Sequence, residues 1–411
     1  DKLDLRSLFE PRMREAYMQN TANVPRRGGS VLTDPKLRAL IFQLLAIAAV
    51  VGLGWYLFDN TQTNLEQRGI TSGFAFLNNT AGFGIAQHLI DYTQTDSYGR
   101  VFFVGLLNTL LVSVIGIVLA TIIGFLLGVA RLSPNWLVRQ LATFYIETFR
   151  NIPPLLQILF WYFAVMLSLP GPRQSLGVLD SFYLNSRGLY MPSPGLSETF
   201  GLFFAALLLA VVASVFLGRW ARKRRETTGQ PFPVLISVFA FLLIIPGAAV
   251  LIAGNPLVWT VPELSGFNFA GGWVLIPELI ALTLALSIYT AAFIAEIVRA
   301  GIQSVSHGQT EAAHSLGLPA GKTLRLVIIP QALRVIIPPL TSQYLNLAKN
   351  SSLAAGIGYP DMVSLFAGTV LNQTGQAIEV IAITMSVYLA ISISISLFMN
   401  WYNGRIALIE R

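Results

Sequence analysis

The stretch Gly317-Leu318-Pro319-Ala320-Gly321-Lys322-Thr323 carries the residue types of a phosphate-binding loop. Such a loop needs four residues between its glycines, follows a strand and opens a helix. Here three residues separate Gly317 from Gly321, and the segment lies between two amphipathic pieces. It is not read as a nucleotide site. The histidines, His88, His307 and His314, form no His-Glu-x-x-His pattern, and no Gly-x-Ser-x-Gly sequence occurs. The chain has no cysteine, which excludes disulfides and thiolate chemistry. No catalytic residue, metal site or cofactor of this chain's own is expected. The remaining chemistry is recognition: polar and charged side chains set among long apolar stretches.

Those stretches define the elements. Of the 411 residues 54% are hydrophobic and 11% charged, against about 25% charged in ordinary soluble domains. Ala39–Phe58, Val101–Ala130, Thr199–Gly218 and Pro231–Pro262 contain no charge. Roughly 20 apolar residues cross a bilayer as a helix. Without water to satisfy the backbone, spans must be helices or closed barrels, and these runs do not alternate as barrel strands do. The pattern predicts an all-α polytopic membrane protein with about eight spans, near 38–58, 101–130, 141–169, 198–218, 234–254, 272–297, 332–352 and 378–402. Pro338 and Pro339 predict that the seventh is bent or short.

Basic residues orient the bundle, because cytoplasmic loops are rich in Lys and Arg. Inner segments would hold Lys2, Arg6, Arg12, Arg14, Arg26, Arg27, Lys36 and Arg38; Arg131 and Arg139; Arg219, Arg222, Lys223, Arg224 and Arg225; Arg299, Lys322, Arg325 and Arg334; Arg405 and Arg411. Outer segments would hold only Arg68, Arg100, Arg173 and Arg187. This roughly fivefold excess puts both termini and the 299–331 loop in the cytoplasm. The net charge of +7 is therefore topological and not a nucleic-acid signal. The polar, basic first 38 residues predict no cleavable signal peptide, so the first apolar run reads as an anchor. The long outer segment 170–197, rich in Pro, Gly and Ser, predicts a folded loop.

Charge within a span costs roughly 2.5–3.5 kcal/mol at the centre on insertion scales, so it faces protein or a water-filled path. Glu147, Arg150, Glu278, Glu296 and Lys349 are the candidates. Glu147 with Arg150, and Glu296 with Arg299, are three apart and can pair on one helix face. Lys349 and its neighbours Asn346, Ser351 and Ser352 follow a proline-interrupted apolar helix and are candidates for a translocation path. Asn108, Thr109 and Gln157 either bond between helices, worth about 0.6 kcal/mol on average, or line a cavity. Gly124 and Gly128 form a small-xxx-small pair suited to close helix packing.

The 299–331 loop has its own grammar. Ser306 followed by Gln309 fits a capping box. Ala312, Ala313 and Leu316 fall on one face at helical spacing, and Glu311 stands near a helix N-terminus, where a carboxylate is stabilised. Gly317 suits the left-handed residue that ends a helix, with Pro319 preventing continuation. A second short helix is predicted from about Ala320 to Ile329. The product is a helix–turn–helix knob fit to fill a groove in another protein.

Glu311, Ala312, Ala313 and Gly317, then Val327, Ile329 and Pro330, follow a spacing that resembles the signature loop of importer-type ABC permeases. GLLNTLLVSVIGIVLATIIGFLLGVARLS (105–133) and YIETFRNIPPLLQILFWYF (145–163) resemble the first half of a polar-amino-acid permease; AEIVRAGIQSVSHGQTEAAHSLGL (295–318), IIPQALRVIIPP (328–339) and LAKNSSLAAGIGYPDM (347–362) resemble the second. His314 departs from the Arg common at its place. The resemblance implies a type I importer core at 101–169 and 272–411. To this the chain adds 1–100, holding an arm, a span and an outer segment, and an insertion at 170–271 with two more spans. That long form resembles permeases for general L-amino acids or for glutamate, glutamine, aspartate and asparagine. It further implies a bacterial inner-membrane location, a second and distinct permease chain, two ATPase subunits holding ATP and Mg, and a periplasmic binding protein delivering an amino acid. The ATPase-coupling residues would be Glu311, Ala312, Ala313, Leu316 and Gly317. The alternative is an ion-coupled secondary transporter, which needs no ATPase and often shows two related halves. No such halves are seen.

Overall fold

The structure is a computed structural model, and it describes residues 35–67 and 72–406. The basic arm before Pro35, with Arg68 and Arg411, lies outside the described residues. The chain divides into two units, 1–72 and 73–411. The first holds one helix, α1 (Pro35–Gln67).

In the second unit, α2 (Tyr98–Ala130) runs 33 residues, about 50 Å at 1.5 Å per residue. It packs along α7 (Pro277–Gln303) because its glycines let the backbones close. A Cβ at Gly124 would fall 2.6 Å from the Ile294 side chain, and one at Gly128 2.7 Å from the Ala295 carbonyl. Burial then follows the small residues of α7: Ala281, Ala285, Ala291, Ala292 and Ala295 are essentially inaccessible. Around this pair gather α9 (Ala320–Ile357) and α10 (Ala377–Ile406). A turn at 358–362 and a helical stretch at 363–374 join them.

The predicted third span, 141–169, is two pieces. An amphipathic helix α3 (Trp136–Asn151) starts at Asn135, whose Oδ1 accepts from the Leu137 and Val138 amides. It stops where Ile152 and Pro153 turn extended, since each precedes a proline and is pushed out of the helical region. The short helix α4 (Pro154–Met166) follows. The Tyr162 hydroxyl donates to Glu278 Oε1 at 2.8 Å, in the first turn of α7, whereas Glu147 lies beside Arg131, which also meets Glu296 near the last turns of α7. The chain thus travels most of the length of α7 between residues 147 and 162. Among the described residues seven helices are long and apolar enough to span, and α4 is a shorter apolar helix.

Pro338 and Pro339 do not break α9, which is helical from Ala320 through Ile357. Buried Ile336, Ile337 and Leu340 pin the backbone around them. The widened π-turn at Leu324–Ile328 lies directly before Pro330, where an amide is missing and the ring crowds the preceding turn.

The insertion contributes α5 (Phe200–Thr228) and α6 (Val234–Ala253), packed chiefly on each other. The all-α expectation holds for the spans, but strands cover one end. Strands β1 (Leu176–Val178), β2 (Phe182–Asn185) and β3 (Gly188–Met191) form an antiparallel sheet completed by β8 (Trp273–Leu275). Strands β4 (Ser193–Leu196) and β5 (Leu257–Thr260) pair between the start of α5 and the end of α6, and β6 (Glu263–Ser265) with β7 (Asn268–Ala270) form a further hairpin. This layer gathers the ends of α4, α5, α6 and α7 that carry few basic residues. Arg131, Arg219–Arg225, Arg299 and Arg405 fall at the opposite ends of their helices, as the positive-inside rule requires.

Candidate functional site: a helical knob and a polar helix face

Beyond α7 the chain turns at Ser304–Ser306 and forms α8 (His307–Ser315). Ser306 is the N-cap with extended backbone, but its side chain makes no capping bond, so the capping box is not formed; the Gln309 amide reaches the Ser306 carbonyl instead. Glu311 stands one turn inside the helix. Its Oε1 lies 2.9 Å from His307 Nδ1, and both side chains are exposed.

The exit is sharply defined. Gly317 has φ +78°. Its amide donates to the His314 carbonyl, and the Leu318 amide to the Ala313 carbonyl. This double closure satisfies the free carbonyls of a helix end and requires the left-handed backbone that glycine adopts without cost. Ala320 then opens α9 directly, so the predicted second short helix, 320–329, is the first turns of a long one. The phosphate-loop look-alike sits across this turn, with no strand before it.

Ala312, Ala313 and Leu316 differ in burial. Ala313 is buried at 4% exposure, while Ala312 is exposed and Leu316 is 82% exposed. Burying such a leucine against a partner is worth about 1.5–3 kcal/mol. The knob therefore folds on Ala313 and displays Glu311, Ala312 and Leu316 at its tip.

The predicted path residues fall into two groups. Asn108 is fully buried; its Nδ2 donates to the Gln87 and Pro360 carbonyls at 2.8 and 2.9 Å. Thr109 Oγ1 accepts from the Met362 amide at 3.0 Å. Both tie α2 to the 360–362 turn. Gln157 spans the proline break: its Nε2 donates to the Phe149 and Ile152 carbonyls, which have lost their helical partners there. Ser351 is buried and donates to the Ala348 carbonyl. Asn346 and Lys349, by contrast, are exposed with Ser342 on one face of α9, and Ser352 is half-buried beside them. Lys349 has no carboxylate partner among the described residues.

The predicted pairing of Glu147 with Arg150 is not made. Glu147 meets Arg131 at 3.2 Å, and Arg150 lies 5.3 Å over the Phe293 ring. Side chains on α3 project toward α7, and that brings nearer partners than the helix's own next turn. Glu296 pairs with Arg299 and also with Arg131. The sequence places Arg131 only in an inner loop; the signal for its role is its position directly behind an uncharged 30-residue run.

Comparisons with known proteins agree with this geometry. Residues 116–408 match the family described as "Binding-protein-dependent transport system inner membrane component". The chain is 64% identical over 385 residues to the putative amino-acid ABC transporter permease protein YhdX of Escherichia coli, covering 94% of this chain and 98% of that one. It is 52% identical to the general L-amino acid transport system permease protein AapQ of Rhizobium johnstonii, over 93% and 95% of the two chains. It is 42% identical to the glutamate/glutamine/aspartate/asparagine transport system permease protein BztB of Rhodobacter capsulatus, over 93% and 96%. The secondary-transporter alternative finds no support in these matches. By its matched span and by these relatives, the chain belongs to the family of inner-membrane components of binding-protein-dependent transport systems.

Proposed function

We propose that this chain is the permease subunit of an ATP-driven importer that moves amino acids, either a broad range or polar and acidic L-amino acids, from periplasm to cytoplasm across a bacterial inner membrane. The observation that carries the reading is the knob. A nine-residue helix beyond the basic ends of the spans displays Leu316 almost fully to water, where a folded chain gains nothing from it. A soluble ATPase groove would bury it. ATP and Mg belong to that partner; two ATPases would drive two permease chains, the second a distinct relative, and a periplasmic binding protein would supply substrate. The β layer lies at the end of the bundle where that protein would arrive.

The open face of α9 is the proposed path. A membrane helix does not present Ser342, Asn346 and an unpaired Lys349 to hydrocarbon, because a charge at the bilayer centre costs about 2.5–3.5 kcal/mol or more. The second permease and the water-filled route between the two chains would cover it. Lys349 could there meet a substrate carboxylate. Asn108, Thr109, Gln157 and Ser351 then act by holding the helices that carry this face.

Purification tests the reading. The chain expressed with its operon neighbours should retain a soluble ATPase, and Leu316→Asp should release it. Transport that persisted with no ATPase bound would contradict the proposal. Lys349→Gln should lower substrate-stimulated ATPase activity without releasing the ATPase; unchanged stimulation would remove Lys349 from the path.

A further inference from the structure

Two turns before the knob, three helices meet at one guanidinium. Arg131, at the end of α2, sends one nitrogen to Glu296 of α7 and the other to Glu147 of α3, the latter at 3.2 Å. Glu296 is held in addition by Arg299, the residue one turn nearer the knob. The planar fork of arginine suits such double duty, which a lysine ammonium does not reproduce. The joint is half-sheltered: Arg131 is 19% exposed, Glu296 26% and Glu147 55%.

The three helices stand in different mechanical relations. α2 and α7 are held together by the close backbone approach at Gly124 and Gly128. α3 is attached to them by side chains: the Arg131–Glu147 pair, the Arg150–Phe293 contact, and the Tyr145 hydroxyl donating to the Ile288 carbonyl at 2.9 Å. Past α3 the backbone breaks at Ile152–Pro153, and the two Gln157 bonds fasten α4 to the end of α3 across the break. α4 in turn abuts the last turns of α9, where a Cβ on Gly356 would lie 3.2 Å from Leu155. Those turns begin two residues after Lys349. A continuous line of contacts therefore runs from the base of the knob, through Arg131, to the neighbourhood of the open polar face.

We infer that Arg131 is the joint that passes displacement of the knob to α3 and α4, with the Pro153 break as its hinge, so that ATP-driven movement at the inner end changes the path beside Lys349. This rests on the importer reading above. Arg131 and Glu147 are positioning residues: they touch neither ATP nor substrate. Removing their contact leaves the ATPase attached and hydrolysing, and disconnects hydrolysis from movement of the substrate.

The test uses the complete transporter in proteoliposomes with its binding protein, and reads amino acid imported per ATP hydrolysed. Glu147→Gln is mild, since the side chain is more than half exposed. It should lower that ratio by roughly fivefold, the low end of ordinary coupling between sites, with the ATPase still bound. Glu147→Asp should recover part of the loss. Arg131→Gln should lower the ratio at least as far, and adding Glu147→Gln to it should bring no further loss, because both remove one contact. Arg131→Lys, which keeps the charge facing Glu296 but not the fork, should resemble Glu147→Gln and serves if Arg131→Gln fails to assemble. An unchanged ratio in Glu147→Gln, or losses that add in the double variant, would overturn the joint. A wild-type preparation that retains no ATPase would instead overturn the importer reading.

Discussion

Helix α7 and the pair α5–α6 are both membrane spans, yet they differ sharply in what surrounds them. In the most apolar 18-residue stretch of α7, 61% of positions are buried in the protein; in α5 and in α6 the share is 6%. The order of apolarity is the reverse, with α5 and α6 the more apolar helices. Burial on α7 takes in small and hydroxyl-bearing residues, such as Ala285, Ser287, Thr290 and Ala291, alongside Leu282, Leu286 and Ile294. The lesson is that hydrocarbon competes with protein for leucine. Between helices in a bilayer there is no hydrophobic drive, and close backbone approach and hydrogen bonds decide the contacts. The most buried span of this permease is less apolar than the insertion's two helices, which leave most of their surface uncovered by the rest of the chain.

The largest effect should come from spoiling the close approach. Gly128→Leu drives a side chain into the Ala295 carbonyl and Val298. Overpacking of this kind costs about 1–3 kcal/mol or more, and here it parts two helices along their length. Loss of monodisperse protein in detergent is the expected readout; an unchanged melting temperature would break the comparison.

Second comes an apolar side chain that faces water rather than lipid. Leu316→Asp should leave the melting temperature of the isolated chain unmoved while weakening ATPase retention by tenfold or more, as loss of an interface anchor worth about 2 kcal/mol would. Third, Asn108→Leu strands the buried Pro360 carbonyl and the half-buried Gln87 carbonyl, at about 1–3 kcal/mol, and should lower thermal stability measurably. Smallest is Leu243→Ala on α6. Leu243 is 71% exposed within the protein, so the change should stay within about 0.5 kcal/mol. A large destabilisation there would show that α6 is covered by something other than lipid.

Much of this was legible in the chain. Seven of the eight predicted spans and the sidedness follow from uncharged runs and clustered arginines, because the bilayer acts on every residue alike. The knob was legible because Gly317 and Pro319 act locally. What could not be read depended on partners distant in sequence. The break in 141–169 lay in plain sight at Pro153–Pro154, whereas the same dipeptide at Pro338–Pro339 left α9 intact. The dipeptide alone therefore does not decide whether the helix breaks. The strands of the insertion are three or four residues each, and β8 pairs with β3 across about eighty intervening residues, too short and too distant for a periodicity to show. The i,i+3 rule suggested Arg150 for Glu147, but α7 and the end of α2 offered closer partners. Likewise helical spacing puts Ala313 beside Ala312 and Leu316, yet Ala313 alone of the three is buried, where the returning chain at Ala320–Thr323 packs on α8.

The account stands on the knob gripping a separate ATPase on the cytoplasmic side, and one measurement addresses that directly. The chain has no cysteine, so Leu316→Cys creates a unique thiol for a photo-cross-linking maleimide. In inner-membrane vesicles of the intact transporter, the account predicts that the probe enters from the cytoplasmic face and that light joins this chain to its ATPase. Labelling from the periplasmic face, or a cross-link to lipid and to no other subunit, would contradict it.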